Sequence, residues 1–142
     1  MLVTLNMNGR NLLVDLSVKL IRNLNNSYKT CKLNNSRHYF HECFLTIIAL
    51  VRGNNNNHFS FTLDELNSVC KLTRQNGNYL RPNHGIQWGI GNGSYIVHSF
   101  KEAENLGWVT RTNVSRDAKY DYYKDQWILT DLGLKESSNY VL

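Results

Sequence analysis

SYIVHSFKEAENLGWVTRTNVSRDAKYDYYKDQWILTDLG, residues 94–133, is the most legible part of the chain. Ser94 suits a helix N-cap, where its hydroxyl accepts an unpaired backbone N–H of the first turn. Ile96, Phe100, Ala103 and, at the end, Leu106 follow at spacings of four and three, which lines up one apolar face. Tyr95, Val97, His98, Lys101, Glu102 and Asn105 fall outside that face. Gly107 stops the helix, because glycine accepts the left-handed conformation common just past a helix end. Trp108 and Val109 open an extended run to Thr112 and a charged tip follows. Trp127-Ile128-Leu129 then returns ahead of Thr130-Asp131-Leu132-Gly133.

The order of helix, glycine, strand, charged hairpin and strand resembles the winged helix-turn-helix domains of bacterial and archaeal regulators, of the MarR and PadR kind. The resemblance covers residues 37–135, with residues 1–36 as a basic N-terminal extension of hairpin and helix, and 37–142 as the winged domain. It implies an α+β fold, mainly α, with a long insert ahead of the recognition helix. It also implies a transcriptional regulator that binds double-stranded DNA sequence-specifically. Helix 94–105 would enter the major groove and the wing, 109–129, would lie on the backbone. Tyr95, Val97, His98 and Lys101 would then face the groove, and Arg111, Arg116, Lys119 and Lys124 would belong to the wing. A homodimer is expected, with the N-terminal hairpin and helix available as its interface. The same module also serves as a DNA-docking part of replication, restriction or mobile-element proteins, and as a protein–protein module.

Upstream, the signals are more local. Leu2 to Met7 and Arg10 to Val14 flank Asn8-Gly9, and Asn-Gly between apolar runs predicts a hairpin with a type I′ turn. Residues 14–24 fit two patterns: alternation as a strand, and a stripe of Leu13, Leu16, Leu20 and Leu24 as a helix. The reading adopted is a helix from Leu16 to Asn25, followed by a polar connector to Ser36. Arg37 to Arg52 predicts a helix whose buried face is Phe40, Phe44, Ile47, Ile48 and Val51, widened by Tyr39, Cys43 and Leu50, and ended by Gly53. Asn54 to Asn57 reads as a loop. Phe59-Ser60-Phe61 suits a short strand. Thr62 and Glu65 make a capping box for a second helix that buries Leu63, Leu66, Val69, Cys70 and Leu72. Thr73 to Gly93 intervenes before the next helix, with five glycines and the only proline, Pro82. A family turn is far shorter.

Composition narrows the function. A length of 142 residues with 42% hydrophobic residues suits a chain with a real core. No apolar run reaches membrane-spanning length and the start lacks a signal-peptide pattern, so a cytoplasmic protein is expected. Cys31, Cys43 and Cys70, odd in number and unrelated in spacing, argue against a disulfide framework. The net charge is +5. Residues 1–37 hold six Lys/Arg against Asp15 alone, a source of sequence-independent attraction to phosphate. From Ser94 onward six Lys/Arg meet seven Asp/Glu, a balance that suits a protein partner as well as DNA.

Chemistry is sparsely signalled. His38, His41, Glu42 and Cys43 lack a matching second ligand pair, so no metal is expected. Gly89-Ile90-Gly91-Asn92-Gly93 lacks the spacing of a dinucleotide fingerprint and the Lys-Ser/Thr of a P-loop, so no nucleotide cofactor is expected. Ser94, Ser99 and Ser115 have no nucleophile-elbow context. The carboxylates of residues 117–131 read as solvated hairpin charges. The expectation is a binding protein, not an enzyme.

Overall fold

The computed structural model describes residues 2–17, 38–77, 95–112 and 125–138, with side chains for all of these but 38–42, 73–77 and 95–99. Strands β1 (Leu2–Met7) and β2 (Arg10–Asp15) form the expected hairpin. Asn8 and Gly9 have φ of 55° and 76°, the double positive φ that a two-residue type I′ turn requires. The strands pair antiparallel from Leu2 with Asp15 to Met7 with Arg10. Period-2 alternation turns Leu12 and Val14 into the core, with Val3, Leu5 and Met7 packed against it. Val14 is therefore strand, and Leu16 and Ser17 are not helical. The rest of the expected Leu16–Asn25 helix lies outside the described residues.

Helix α1 (His38–Gly53) is the centre of the molecule. The sequence predicts one apolar face, but every residue from Cys43 to Val51 is buried, including Leu45, Thr46 and Ala49 off that face. Such all-round burial follows when neighbours cover every side of a helix. Here the hairpin, two further helices and the C-terminal helix all pack on α1.

Helix α1 ends at Gly53 as expected, but Gly53 does not supply the closing conformation. The left-handed residue is Asn55, with φ 49°, two positions later. Asn56 N–H donates to Val51 O (3.2 Å) and Asn55 N–H to Arg52 O (3.2 Å), the paired closing bonds of a helix end built around a left-handed residue. Gly53 is needed for another reason: a Cβ there would run into the backbone of Leu13 and Val14. Asn54 fixes that close approach. Its side-chain amide donates to Leu13 O (2.9 Å) and to Leu50 O (2.8 Å), and its oxygen accepts from Leu13 N–H (3.3 Å). The asparagine loop is thus a seam between helix and hairpin.

Helix α2 (Leu63–Gly77) starts on the capping box as expected. Glu65 N–H donates to Thr62 Oγ1 (3.1 Å) and Thr62 N–H to Glu65 Oε1 (2.9 Å). Leu63, Leu66, Val69 and Cys70 are buried. The helix continues to Gly77, so the first five residues of the expected insert are helical; residues 78–94 lie outside the described set.

Helix α3 (Tyr95–Asn105), β3 (Val109–Arg111), β4 (Trp127–Leu129) and α4 (Asp131–Ser137) complete the chain in the expected order, save α4, which the sequence reading does not separate. Trp127, fully buried, joins the parts. Its backbone exchanges both hydrogen bonds with Phe61, N–H to O at 2.8 and 3.0 Å, so the segment between α1 and α2 adds a one-residue bridge to β4. Its ring meets Phe100 edge-on at 4.7 Å, and Phe100 meets Phe61 at 6.0 Å. The fold is α+β: among the described residues, four helices and two antiparallel two-stranded sheets.

Candidate nucleic-acid interface

Helix α3 is anchored by Phe100 and Ala103, both buried. Its C-terminus closes as predicted on Gly107, φ 78°, with Trp108 N–H donating to Ala103 O (2.9 Å) and Gly107 N–H to Glu104 O (2.9 Å). This cap ends the apolar face at Ala103. Leu106, expected to extend it, is 42% exposed because the chain has already left the helical path. Lys101 and Asn105 are exposed, and Glu102 and Glu104 half-buried. Tyr95, Val97 and His98 lie in the first turns of α3, where the backbone alone is described.

The helix is tied directly to the hairpin that follows. Thr130 N–H donates to Trp108 O (3.0 Å), Thr130 Oγ1 donates to Gly107 O (2.5 Å), and the same oxygen accepts from Gly133 N–H (3.0 Å) as the N-cap of α4. Gly133 permits this junction, since a Cβ there would strike the Trp108 carbonyl. Trp108 stacks obliquely on Phe44 at 4.8 Å. One end of α3, both strands of the hairpin and the start of α4 are thus joined by direct hydrogen bonds.

At the base of the hairpin, Val109 pairs with Leu129, Thr110 with Ile128 and Arg111 with Trp127. Arg111 is expected to meet DNA phosphates, but its side chain is only 11% exposed and donates to Asp125 Oδ2 at 3.0 Å. That placement suits a brace between the strands better than a phosphate contact. Arg116, Lys119 and Lys124 lie outside the described residues. So do Cys31 and five of the six N-terminal cations. The sixth, Arg10, is committed internally. Its Nε and Nη2 donate to the two oxygens of the buried Glu65 carboxylate, each at 2.7 Å, and Nη2 also reaches Ser60 O at 2.7 Å. The guanidinium lies 4.9 Å from the Phe59 ring centroid. Arg52 pairs with Asp15 at 3.3 Å.

The sequence reading missed the Arg10–Glu65 clamp. Its one signal is that a capping-box glutamate next to a buried helix face must find a cation once it loses water. Among the described residues Cys43 and Cys70 are buried and form no disulfide, and no three His, Cys, Asp or Glu side chains are grouped as metal ligands. No helix among them is long and apolar enough to cross a membrane. Comparison with protein-family models, with curated proteins and with solved structures finds no match.

Proposed function

We propose that this chain is a winged helix protein that binds double-stranded DNA, with α3 as the reading helix and the β3–β4 hairpin as the wing. The observation that carries the reading is the bridge between Phe61 and Trp127. With it the described elements run helix, short strand, helix, helix, strand, strand, with the short strand joined to the last, an order that supports a winged helix-turn-helix assembly. A sheet of that kind holds the reading helix at a fixed angle to the wing, so both can meet one duplex.

On α3, Phe100 and Ala103 mark the inward side. At about 100° per residue, His98 and Asn105 fall opposite them, with Tyr95 and Lys101 on the flanks and Val97 at the margin. His98, Asn105 and Lys101 can donate to base acceptors, and Tyr95 can contact a thymine methyl or a phosphate. Arg116, Lys119 and Lys124 on the wing would supply backbone contacts. Regulation of transcription from a two-fold site by a homodimer is the use that fits best; docking on DNA in a replication, restriction or mobile-element system is the nearest variant.

A protein–protein role is the second reading. It is favoured by the internal pairing of Arg10, Arg52 and Arg111, which removes three cations from those that could meet phosphates. Titrating the protein with a random duplex pool across a salt series separates the two. DNA binding predicts affinity that falls steeply with salt, by about 0.9 in the logarithmic slope per phosphate neutralised. Absence of binding at low salt by folded protein favours the protein partner.

A further inference from the structure

We propose that Asn8 is a self-modification site, at which the backbone nitrogen of Gly9 displaces the side-chain amide and one of the products loosens the hairpin from α2. The chemistry belongs to the hairpin tip and is independent of any partner the chain binds.

Asn8 and Gly9 are both exposed, at the two central positions of the type I′ turn. A Cβ built on Gly9 meets nothing within 4 Å, so the peptide that joins the pair lies in open space. Turning that peptide opens the tip and brings the Gly9 nitrogen onto Asn8 Cγ, an approach that any larger following side chain would obstruct. The nitrogen bonds to Cγ, the Cγ–Nδ2 bond breaks, and ammonia leaves with the proton from Gly9 N. Water then opens the cyclic imide at either of its carbonyls. Opening at Cγ gives an aspartyl residue. Opening at the main-chain carbonyl gives an isoaspartyl residue, whose main chain runs on through Cβ and Cγ. Nearby comparators lack this freedom. Asn6 precedes Met7, and its amide donates to Asn11 Oδ1 (2.9 Å) across the ladder. Asn76 is followed by Gly77, but both are held in helix α2.

The two products differ in what they do to the fold. Asp-Gly supports a type I′ turn as Asn-Gly does, so the aspartyl form keeps the hairpin. The isoaspartyl form adds one main-chain atom to a turn of two residues, and Met7 and Arg10 then no longer close it as a pair. Arg10 follows Gly9 directly, and it is the clamp on α2. Its guanidinium donates to both oxygens of Glu65 and to Ser60 O, each at 2.7 Å, while the Glu65 side chain is 2% exposed. A buried carboxylate that loses its cation strongly destabilises a fold. A change at the exposed tip thereby reaches the buried start of α2.

Wild-type protein held folded in mildly alkaline buffer should release ammonia, and its tryptic peptide of residues 1–10 should gain the mass of an amide-to-acid exchange. Fragmentation should place that gain on Asn8, with Asn6 in the same peptide and Asn76 elsewhere still amides. Isoaspartyl methyltransferase should label the peptide. The aged fraction that carries the label, separated by ion exchange, should melt below fresh protein, while an Asn8→Asp variant should melt as fresh protein does. In an Arg10→Ala background ageing should lower the melting temperature by less, because the clamp is already gone. An Asn8 that stays an amide in folded protein, over a period that converts it in urea, overturns the proposal. So does an isoaspartyl fraction that melts as fresh protein does, and an equal lowering in both backgrounds overturns the route through Arg10.

Discussion

Arg10 shows how much one residue can reassign. By composition it belongs to a basic segment ready for phosphate; in the fold it holds Glu65, with Thr62 N–H as the third donor to that carboxylate. Arg10→Ala would leave a buried carboxylate short of its cation, and should cost on the order of 3 kcal/mol in urea unfolding. Arg10→Lys should recover only part of this, since a single ammonium cannot donate side by side to both oxygens. Equal stability of all three proteins would show that the clamp contributes nothing. Gly53 carries a different lesson. Its sequence position suggests a helix stop, while the space around it shows that the strand backbone forbids a Cβ. Gly53→Ala should therefore destabilise by about 1–3 kcal/mol, as overpacking does, despite alanine's better helix propensity. A rise in melting temperature would contradict that. Neither role was legible in sequence, because both depend on residues 39 or more positions away, which local patterns do not register.

At the scale of elements, local signals served well wherever one residue type has one physical use. Asn8-Gly9 gave the hairpin, Thr62 and Glu65 the start of α2, and Gly107 the end of α3. The end of α1 falls at Gly53 as expected, but the left-handed residue that closes it is Asn55, because asparagine also takes that conformation and the nearer glycine draws the eye. The buried face of α1 was drawn too narrow because residue spacing records amphipathicity and cannot count how many neighbours a helix will have. Helix α4 was missed for its shortness: seven residues hold too few turns for a period to show. Trp127 ties three elements together, by its backbone to Phe61 and by its ring to Phe100. Trp127→Ala should cost about 3–5 kcal/mol, in the range of large aromatic truncations in cores. Trp108→Ala should cost less, because that ring is half-buried. Thermal unfolding of the two variants side by side gives the order, and a reversed order would place the tie between α3 and the hairpin at Trp108.

For the molecule as a whole, the question is where cations remain for a polyanion. Arg10, Arg52 and Arg111 are engaged with Glu65, Asp15 and Asp125. Non-specific affinity would then fall to the other N-terminal cations and to Arg116, Lys119 and Lys124, and specificity to α3. Of the proposed site, helix α3 was legible in sequence, by the stripe that includes the buried Phe100 and Ala103 and by its stop at Gly107. The three charge pairs were not, because ion pairing across the fold leaves no trace in composition. The most direct measurement is the affinity of wild-type protein and of the Tyr95→Ala, His98→Ala double variant for a duplex selected from a random pool, set against random duplex. The double variant should melt as the wild type does, since neither residue belongs to the apolar stripe, and should lose about 1–3 kcal/mol of discrimination between the two DNAs. Equal discrimination by both proteins, or a pool from which no sequence is enriched, would contradict recognition through α3.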